Sequence, residues 1–144
     1  MSMSIKQIHP HFVGEVGGLD LRQKVTPEQA VELNQALDRL GVLVFRGQDI
    51  TDEEQLAFTL NFGEIELAIG GNVTKPEDRR LSVKMGDVSN LDKDGNVLAK
   101  DDRRRMFNLG NRLWHSDSSY RATPAKCSLL SCRSKPAQGG NTEF

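Results

Sequence analysis

The most informative segment of the chain reads Asn111-Arg112-Leu113-Trp114-His115-Ser116-Asp117-Ser118-Ser119-Tyr120. If this segment is a β-strand, His115 and Asp117 lie on one face, about 6–7 Å apart at the backbone, because side chains alternate along a strand. An imidazole and a carboxylate at this spacing can reach a common metal ion. The same pattern also fits a simpler arrangement, in which His115 pairs only with Asp117 or with a backbone carbonyl. His-x-Asp by itself leaves both interpretations open.

Downstream of this segment, the sequence predicts a glycine turn that leads into a new strand. The turn reads Pro136-Ala137-Gln138-Gly139-Gly140-Asn141-Thr142, and paired glycines with a neighbouring Pro and Asn are typical of turns. The hydrophobic pattern predicts three further strands. They are Leu81–Lys84, Leu113–Ser119 and Ser128–Arg133.

Upstream, two helices are predicted by the same start signal. Each begins with a Thr N-cap that is followed three residues later by Gln or Glu, which is the capping-box pattern. The two signals are Thr26-Pro27-Glu28-Gln29 and Thr51-Asp52-Glu53-Glu54. The first helix has apolar residues at Ala30, Leu33, Leu37 and Leu40 and ends at Gly41; the second has a stripe of Leu56, Ala57 and Leu60 and is closed by Gly63. Between the helices, Val42–Phe45 is predicted to be a buried strand.

The composition limits the class of protein. The chain has 144 residues, 37% of them hydrophobic, with 19 basic and 20 acidic side chains. Because there is no basic excess, we expect no nucleic-acid partner. The longest apolar run, Val42–Phe45, is far shorter than the roughly 20 residues that cross a bilayer, so we expect no membrane partner. The N-terminus has no apolar signal segment, and there are only two cysteines, which favours a cytoplasmic, globular protein. The oligomeric state, including a homo-oligomer, stays open.

Residues 75–105 are rich in charged side chains and can contribute little to a core. We expect a long excursion between packed elements, which is either a functional lid or disordered. Asp94-Gly95 is a good pair for a hairpin turn within it.

Taken together and in this order, the motifs resemble the family of taurine dioxygenase and 2,4-dichlorophenoxyacetate dioxygenase (TauD/TfdA). The resemblance rests on Trp114-His115-Ser116-Asp117, Pro124 and Gly139-Gly140-Asn141-Thr142, and on the earlier stretches Gly14–Leu21, Val42–Arg46 and Leu60–Gly63. It implies an Fe(II)- and 2-oxoglutarate-dependent oxygenase of α+β, mainly β class. The implied core is a double-stranded β-helix (jelly-roll) with flanking helices, incomplete in this chain, and residues 1–144 are the N-terminal part of a single dioxygenase domain.

The resemblance also implies roles for individual residues. His115 and Asp117 match the family's first two iron ligands, and they are the expected catalytic residues. Thr142 matches a hydroxyl that binds the 2-oxoglutarate carboxylate. Asn111, Ser118 and Tyr120 match positions in the substrate pocket.

The expected substrates are O₂ and a small carboxylate, most closely an aryloxyalkanoic acid whose ether bond is cleaved. Residues 113–120 resemble the phenoxyalkanoate branch of the family. Ala68 and Gly71 stand where the taurine branch has a histidine and a tyrosine, which speaks against taurine. A carboxylate substrate favours a nearby cation, which Lys75, Arg79 or Arg80 could provide. For each of these three taken alone, a place in a solvated loop is the favoured interpretation.

The family also has a second histidine ligand and a 2-oxoglutarate-binding arginine, both far downstream of the His-x-Asp motif. This chain ends at Phe144, and its only other histidines are His9 and His11, which we do not expect to complete the site. We therefore expect the 144 residues to be a catalytically incomplete part of an enzyme. Two alternatives are a non-catalytic truncated fragment and a family member that acts on a sulfonate or an alkyl sulfate.

Overall fold

The computed structural model describes residues 2–67 and 73–144. The chain divides into two compact units. The first unit contains the residues up to Gly63 together with Cys127–Phe144, and the second contains Glu64–Lys126. None of the helices in these described ranges has the length and apolar content that a bilayer crossing requires.

The first unit contains a three-stranded mixed sheet in the order β1-β2-β3. The strands are β1 (Ser4–Gln7), β2 (Gly14–Gly17) and β3 (Leu43–Phe45). β1 runs antiparallel to β2, and β2 runs parallel to β3. Helix α1 (Pro27–Leu40) lies between β2 and β3 in the sequence, so these three elements make a β-α-β unit, as a parallel strand pair requires.

Helix α1 begins and ends where the sequence predicts. The Thr26 hydroxyl accepts from the Gln29 N–H, and the Gln29 side chain accepts from the Thr26 N–H, so the predicted capping box is complete. Gly41 ends the helix with φ of 71°, a conformation that favours glycine. Gly14 has a different role: a Cβ there would lie 2.7 Å from Leu40 Cδ1. The glycine therefore lets the end of α1 approach β2.

Helix α2 (Asp52–Thr59) has the predicted capping box between Thr51 and Glu54. Its predicted apolar face was wrong. Leu60 is 61% exposed, and the buried residue is Phe58. The physical reason is aromatic packing, because the Phe58 ring makes edge-on contacts with those of Phe45 and Phe62, at 5.4 and 5.5 Å between centroids. The helix ends at Thr59, before Gly63.

The core of the first unit lies around Leu33, which is fully buried. Buried apolar side chains from α1, α2, β2 and the connecting loops form one cluster with it; they are Val16, Leu21, Val25, Leu33, Ile50 and Phe58. β3 was expected to be buried, but its residues are only half-buried, because β3 lies at an edge of the sheet.

Arg133 and Gln55 attach the C-terminal segment of the first unit to α2 and the residues just before it. Arg133 donates to the Ile50 carbonyl, to Asp52 Oδ1 at 3.1 Å and to Gln55 Oε1 at 3.2 Å. The Gln55 side chain in turn donates to the Leu129 carbonyl at 3.4 Å. Residues 128–133 are thus held by side chains and not by a strand ladder.

The second unit contains short helices and turns. Helix α3 (Arg103–Asn108) runs into a 3-10 helix, Leu109–Arg112, and another 3-10 helix covers Pro76–Asp78. The predicted hairpin turn is confirmed, because Leu91 and Val97 pair as an antiparallel bridge around Gly95, whose φ is 84°. Leu98, which follows this turn, is buried.

The strands predicted for Leu81–Lys84, Leu113–Ser119 and Ser128–Arg133 were wrong, and so was the strand expected after Gly140. All four segments are bends, turns or irregular chain. A strand exists only where a neighbour accepts and donates its backbone hydrogen bonds, and within residues 2–67 and 73–144 the three named strands are the only ladder. A short sheet with three α-helices is an α+β fold. The "mainly β" expectation is not met, since helices hold more of the described residues than strands do.

Candidate metal centre

His115 and Asp117 come together, although not on a strand. His115 lies in irregular chain after the 3-10 helix, and Asp117 begins a turn. His115 Nε2 lies 3.2 Å from Asp117 Oδ1, and the two side chains are 47% and 60% exposed. The turn therefore achieves the proximity that the strand spacing was expected to provide.

The backbone fixes which nitrogen of His115 faces Asp117. His115 Nδ1 lies 2.7 Å from the Leu113 carbonyl oxygen. A carbonyl only accepts, so Nδ1 carries the proton in this contact. In a neutral ring, Nε2 then presents its lone pair to a carboxylate oxygen. Two acceptors at 3.2 Å repel each other unless a proton or a cation lies between or beside them.

The distance between the two side chains fits a metal ion. Two neighbouring ligands on an octahedral ion, each at about 2.1 Å, lie about 3.0 Å apart. The Nε2–Oδ1 distance of 3.2 Å is close to this value. An imidazole held by a second hydrogen bond on Nδ1 is also the usual form of a metal-binding histidine. Among the described residues, no group of three or more His, Cys, Asp or Glu side chains could hold a metal, so the pair fits part of a coordination shell.

The turn that follows Asp117 is held from outside by Glu66. Ser118 has φ of 56°, a left-handed conformation that is uncommon for a residue with a side chain. Its hydroxyl donates to Glu66 Oε1 at 3.0 Å, and the Arg121 N–H donates to the Ser118 carbonyl at 3.0 Å. Arg121 Nε lies 2.8 Å from the same Glu66 oxygen, although its N–H is not aligned for a hydrogen bond, so this contact is mainly electrostatic.

Arg121 makes two further contacts that fix its position. Its Nη2 donates to the Leu67 carbonyl at 3.1 Å, and its guanidinium carbon lies 5.6 Å from the centre of the Tyr120 ring. A side-chain hydrogen bond with Tyr120 raises the pKa of Arg121, with a further contribution from the charge of Glu66. The guanidinium is therefore a permanent positive charge beside Glu66.

The remaining predicted site residues are found in two places. In the second unit, Asn111 is exposed in the 3-10 helix before His115, and Lys75 is exposed directly before the 3-10 helix Pro76–Asp78. Arg80 already has a carboxylate partner, because it binds both oxygens of Asp87, at 2.7 and 2.9 Å. This arrangement supports the structural interpretation of Arg80 over the substrate-binding one.

Thr142 belongs to the first unit. It is exposed and follows the predicted glycine turn, in which Gly139 and Gly140 have φ of 71° and 73°. His9 and His11 are also in the first unit, and their ring centroids lie 5.8 Å apart. Ala68 and Gly71, which stand where the taurine branch has a histidine and a tyrosine, lie outside the described residues.

Sequence reasoning missed Glu66 and Arg121 at this site, and it did not identify which backbone carbonyl would pair with His115. A backbone carbonyl leaves no mark in the residue types. Glu66 is separated from Ser118 by 52 positions, so no local spacing connects them. Arg121 directly follows the segment 111–120, and its charge was the one available signal.

Comparison with known proteins decides the family. The model of the taurine catabolism dioxygenase TauD, TfdA family matches residues 4–144. The chain belongs to the TauD/TfdA family. The expectation drawn from the motifs is thereby confirmed.

Several relatives within the TauD/TfdA family are similar over most of this chain. An alpha-ketoglutarate-dependent 2,4-dichlorophenoxyacetate dioxygenase of Burkholderia sp. (strain RASC) is 39% identical over 100% of this chain and 48% of its own length. The protein of the same name from Cupriavidus pinatubonensis is 38% identical over 100% of this chain and 50% of its own. The chain thus spans about half the length of the curated relatives that it matches.

A solved structure is more similar still. The crystal structure of AAD-2 in complex with Mn(II) and N-oxalylglycine is 59% identical, with a TM-score of 0.79 over 86% of this chain and 43% of that chain. An (S)-phenoxypropionate/alpha-ketoglutarate-dioxygenase of Sphingobium herbicidovorans is 31% identical over 79% of this chain and 35% of its own length. Three of these relatives of the TauD/TfdA chain are named as dioxygenases of phenoxy acids.

Proposed function

We propose that this protein is an Fe(II)- and 2-oxoglutarate-dependent dioxygenase that hydroxylates an aryloxyalkanoic acid and thereby cleaves its ether bond. The observation that carries the proposal is the His115–Asp117 pair, at 3.2 Å, in a chain of the TauD/TfdA family. The similarity to 2,4-dichlorophenoxyacetate and phenoxypropionate dioxygenases supports the substrate class. The same similarity favours a phenoxy acid over a sulfonate or an alkyl sulfate, and an enzyme over a non-catalytic fragment.

Residues 1–144 are, in this proposal, the N-terminal part of a single dioxygenase domain. Its core is a double-stranded β-helix, of which this chain supplies only some segments. The coverage of about half of each relative supports this arrangement.

His115 and Asp117 hold the iron in this proposal. The Leu113 carbonyl keeps the proton on His115 Nδ1, which leaves Nε2 free to bind the metal. Asp117 supplies a negative charge that partly offsets the charge of the ion. When bound, Fe(II) and 2-oxoglutarate would supply the chemistry by which O₂ oxidises a C–H bond of the substrate. The Mn(II) complex of AAD-2 supports a divalent ion.

The other site residues bind and orient the small molecules. The Thr142 hydroxyl donates to a carboxylate of 2-oxoglutarate. Asn111, Ser118 and Tyr120 line the substrate pocket, and Lys75 provides a positive charge for the substrate carboxylate. Hydroxylation of the carbon beside the ether oxygen gives a hemiacetal, which collapses to a phenol and a keto acid.

The direct experiment is a turnover assay on the enzyme expressed from its complete reading frame. We expect release of a phenol from 2,4-dichlorophenoxyacetate that requires 2-oxoglutarate, Fe(II) and O₂, with no oxidation of taurine. Asp117→Ala removes a metal ligand, so it should lower turnover by more than the about 10–100-fold that loss of an outer-shell partner costs.

The matched control is Ser119→Ala, which changes an exposed neighbour two residues from Asp117. It should keep wild-type turnover. If Asp117→Ala and Ser119→Ala turn over at the same rate, Asp117 is not a metal ligand and the proposed function is wrong.

A further inference from the structure

The carboxylate of Glu66 is the point at which two parts of the second unit meet. One oxygen, Oε1, contacts both the Ser118 hydroxyl at 3.0 Å and Arg121 Nε at 2.8 Å. The Glu66 and Arg121 side chains are only 25% and 35% exposed. A shared carboxylate oxygen of this kind joins segments that are far apart in the sequence.

The turn that Glu66 contacts directly follows Asp117 and sets the direction of the Asp117 side chain. Ser118, the next residue, holds a left-handed φ of 56°, and such a conformation persists only where the surroundings impose it. The Ser118–Arg121 backbone hydrogen bond closes the turn, and the Arg121 hydrogen bond to the Leu67 carbonyl fixes it against the segment that carries Glu66. The direction of the Asp117 side chain therefore depends on groups outside residues 115–117.

We propose that Glu66, acting with Arg121, is a positioning residue for the His115–Asp117 pair. Its carboxylate holds the Ser118 hydroxyl and the Arg121 guanidinium on one side of the turn, and this keeps Asp117 Oδ1 beside His115 Nε2. The inference rests on the proposed function, because it matters only if the pair binds a metal. Glu66 itself does not touch the pair in this role.

The test measures Mn²⁺ affinity, with no substrate and no turnover. Free Mn²⁺ has an electron paramagnetic resonance signal that is lost on binding, so a titration of the enzyme expressed from its complete reading frame gives an apparent Kd. Loss of a residue that orients a ligand typically weakens metal binding about 10–100-fold. We expect Glu66→Ala to raise the Kd by about tenfold.

Two variants separate positioning from simple charge. Glu64→Gln removes the same charge two residues away, at an exposed position, and should leave the Kd within about twofold, since exposed charges are screened. Glu66→Gln keeps an acceptor for the Ser118 hydroxyl and loses the ion pair with Arg121, so it should give an intermediate Kd. A partial recovery of this kind is not expected of a residue that only adds negative charge.

Ser118 provides an independent check on the route of the effect. Ser118→Gly tolerates the left-handed φ and removes the hydroxyl, whereas Ser118→Ala removes the hydroxyl and keeps the strain. If Glu66 acts through the hydroxyl, both variants should raise the Kd, and Ser118→Ala should raise it more. A wild-type Kd in both variants would overturn the proposed route.

The outcomes distinguish the inference from the proposed function. If His115→Ala binds Mn²⁺ as the wild type does, the pair is not a metal site, and the proposed function fails together with this inference. If His115→Ala loses binding but Glu66→Ala matches Glu64→Gln, only the positioning role is overturned. Melting curves and amide spectra of each variant show whether it is folded; where Glu66→Ala unfolds, the comparison of Glu66→Gln with Glu64→Gln decides.

Discussion

Leu33 in the first unit is fully buried within a cluster of six apolar side chains. In the second unit, Leu98 is the only buried apolar side chain among the described residues. Polar contacts take a larger part there, with bidentate ion pairs at Arg80–Asp87 and Arg104–Asp102. The first unit therefore has a core that defines it, whereas the second relies on charges and turns. The candidate metal pair lies in the second unit. The positions of its side chains are therefore set by polar contacts and not by core packing.

The largest loss of stability should come from a cavity in the core of the first unit. Leu33→Ala removes a fully buried side chain and should lower the free energy of unfolding by about 2–5 kcal/mol. Leu98→Ala should cost less, at or below the lower end of that range, because fewer buried groups surround Leu98. Urea denaturation followed by circular dichroism measures both.

Val31→Ala is the matched control on the same helix, since Val31 is 56% exposed. It should change the free energy of unfolding by about 0.5 kcal/mol or less. If Leu98→Ala destabilises the chain as much as Leu33→Ala, the contrast between the two units is wrong.

An intermediate effect is expected at the helix caps of the first unit. Thr26→Ala removes the hydroxyl that accepts from the Gln29 N–H at 3.2 Å, and should cost about 1 kcal/mol. Thr26→Ser keeps the hydroxyl and should be nearly neutral. Equal losses in the two variants would show that the methyl group of Thr26 matters, and not the cap; thermal unfolding measures the difference.

The smallest effect is a pH dependence of the second unit. Asp102 caps α3 by accepting from the Arg104 N–H, and its side-chain hydrogen bond with Arg104 lowers the pKa of Asp102 from 3.8 to about 2. A carboxyl whose pKa is lowered on folding contributes stability that is fully present above the unfolded pKa, here near 3.8, and is lost as the pH falls through about 2. We expect the amide signals of α3 to stay helical down to about pH 3 and to fray below it.

Asp102→Asn is the control for this acid transition, because an amide cannot titrate. Its α3 signals should show no transition in the same pH window. If the wild type and Asp102→Asn fray at the same pH, another carboxyl causes the transition and the role given to Asp102 is wrong.

In both units, the sequence predicted contacts between near neighbours better than contacts between distant residues. Both capping boxes and Gly41 were found from the residues alone, because a cap is a contact between residues three apart. The strands predicted at 113–119 and 128–133 were wrong, because a strand depends on a partner that local sequence does not reveal. The buried residue of α2 is Phe58 and not the predicted apolar stripe, because two aromatic rings outside the helix pack against Phe58.

The candidate site shows the same limit. The pairing of His115 with Asp117 followed from their spacing, even though the backbone there is a turn. Glu66 could not be found in this way, since it reaches Ser118 across 52 positions. Local sequence indicated which side chains could bind a metal, and the structure was needed to identify what holds them.

The most direct test of the central claim is to locate bound metal by nuclear magnetic resonance in the enzyme expressed from its complete reading frame. Substoichiometric Mn²⁺ broadens the signals of nuclei near the ion. We predict selective broadening at His115 and Asp117 and at Trp114, the single tryptophan of residues 1–144, with loss of the effect in His115→Ala. Broadening centred instead on His9 and His11, or on the hairpin turn at Asp94-Gly95, would contradict the claim that His115 and Asp117 form the metal site.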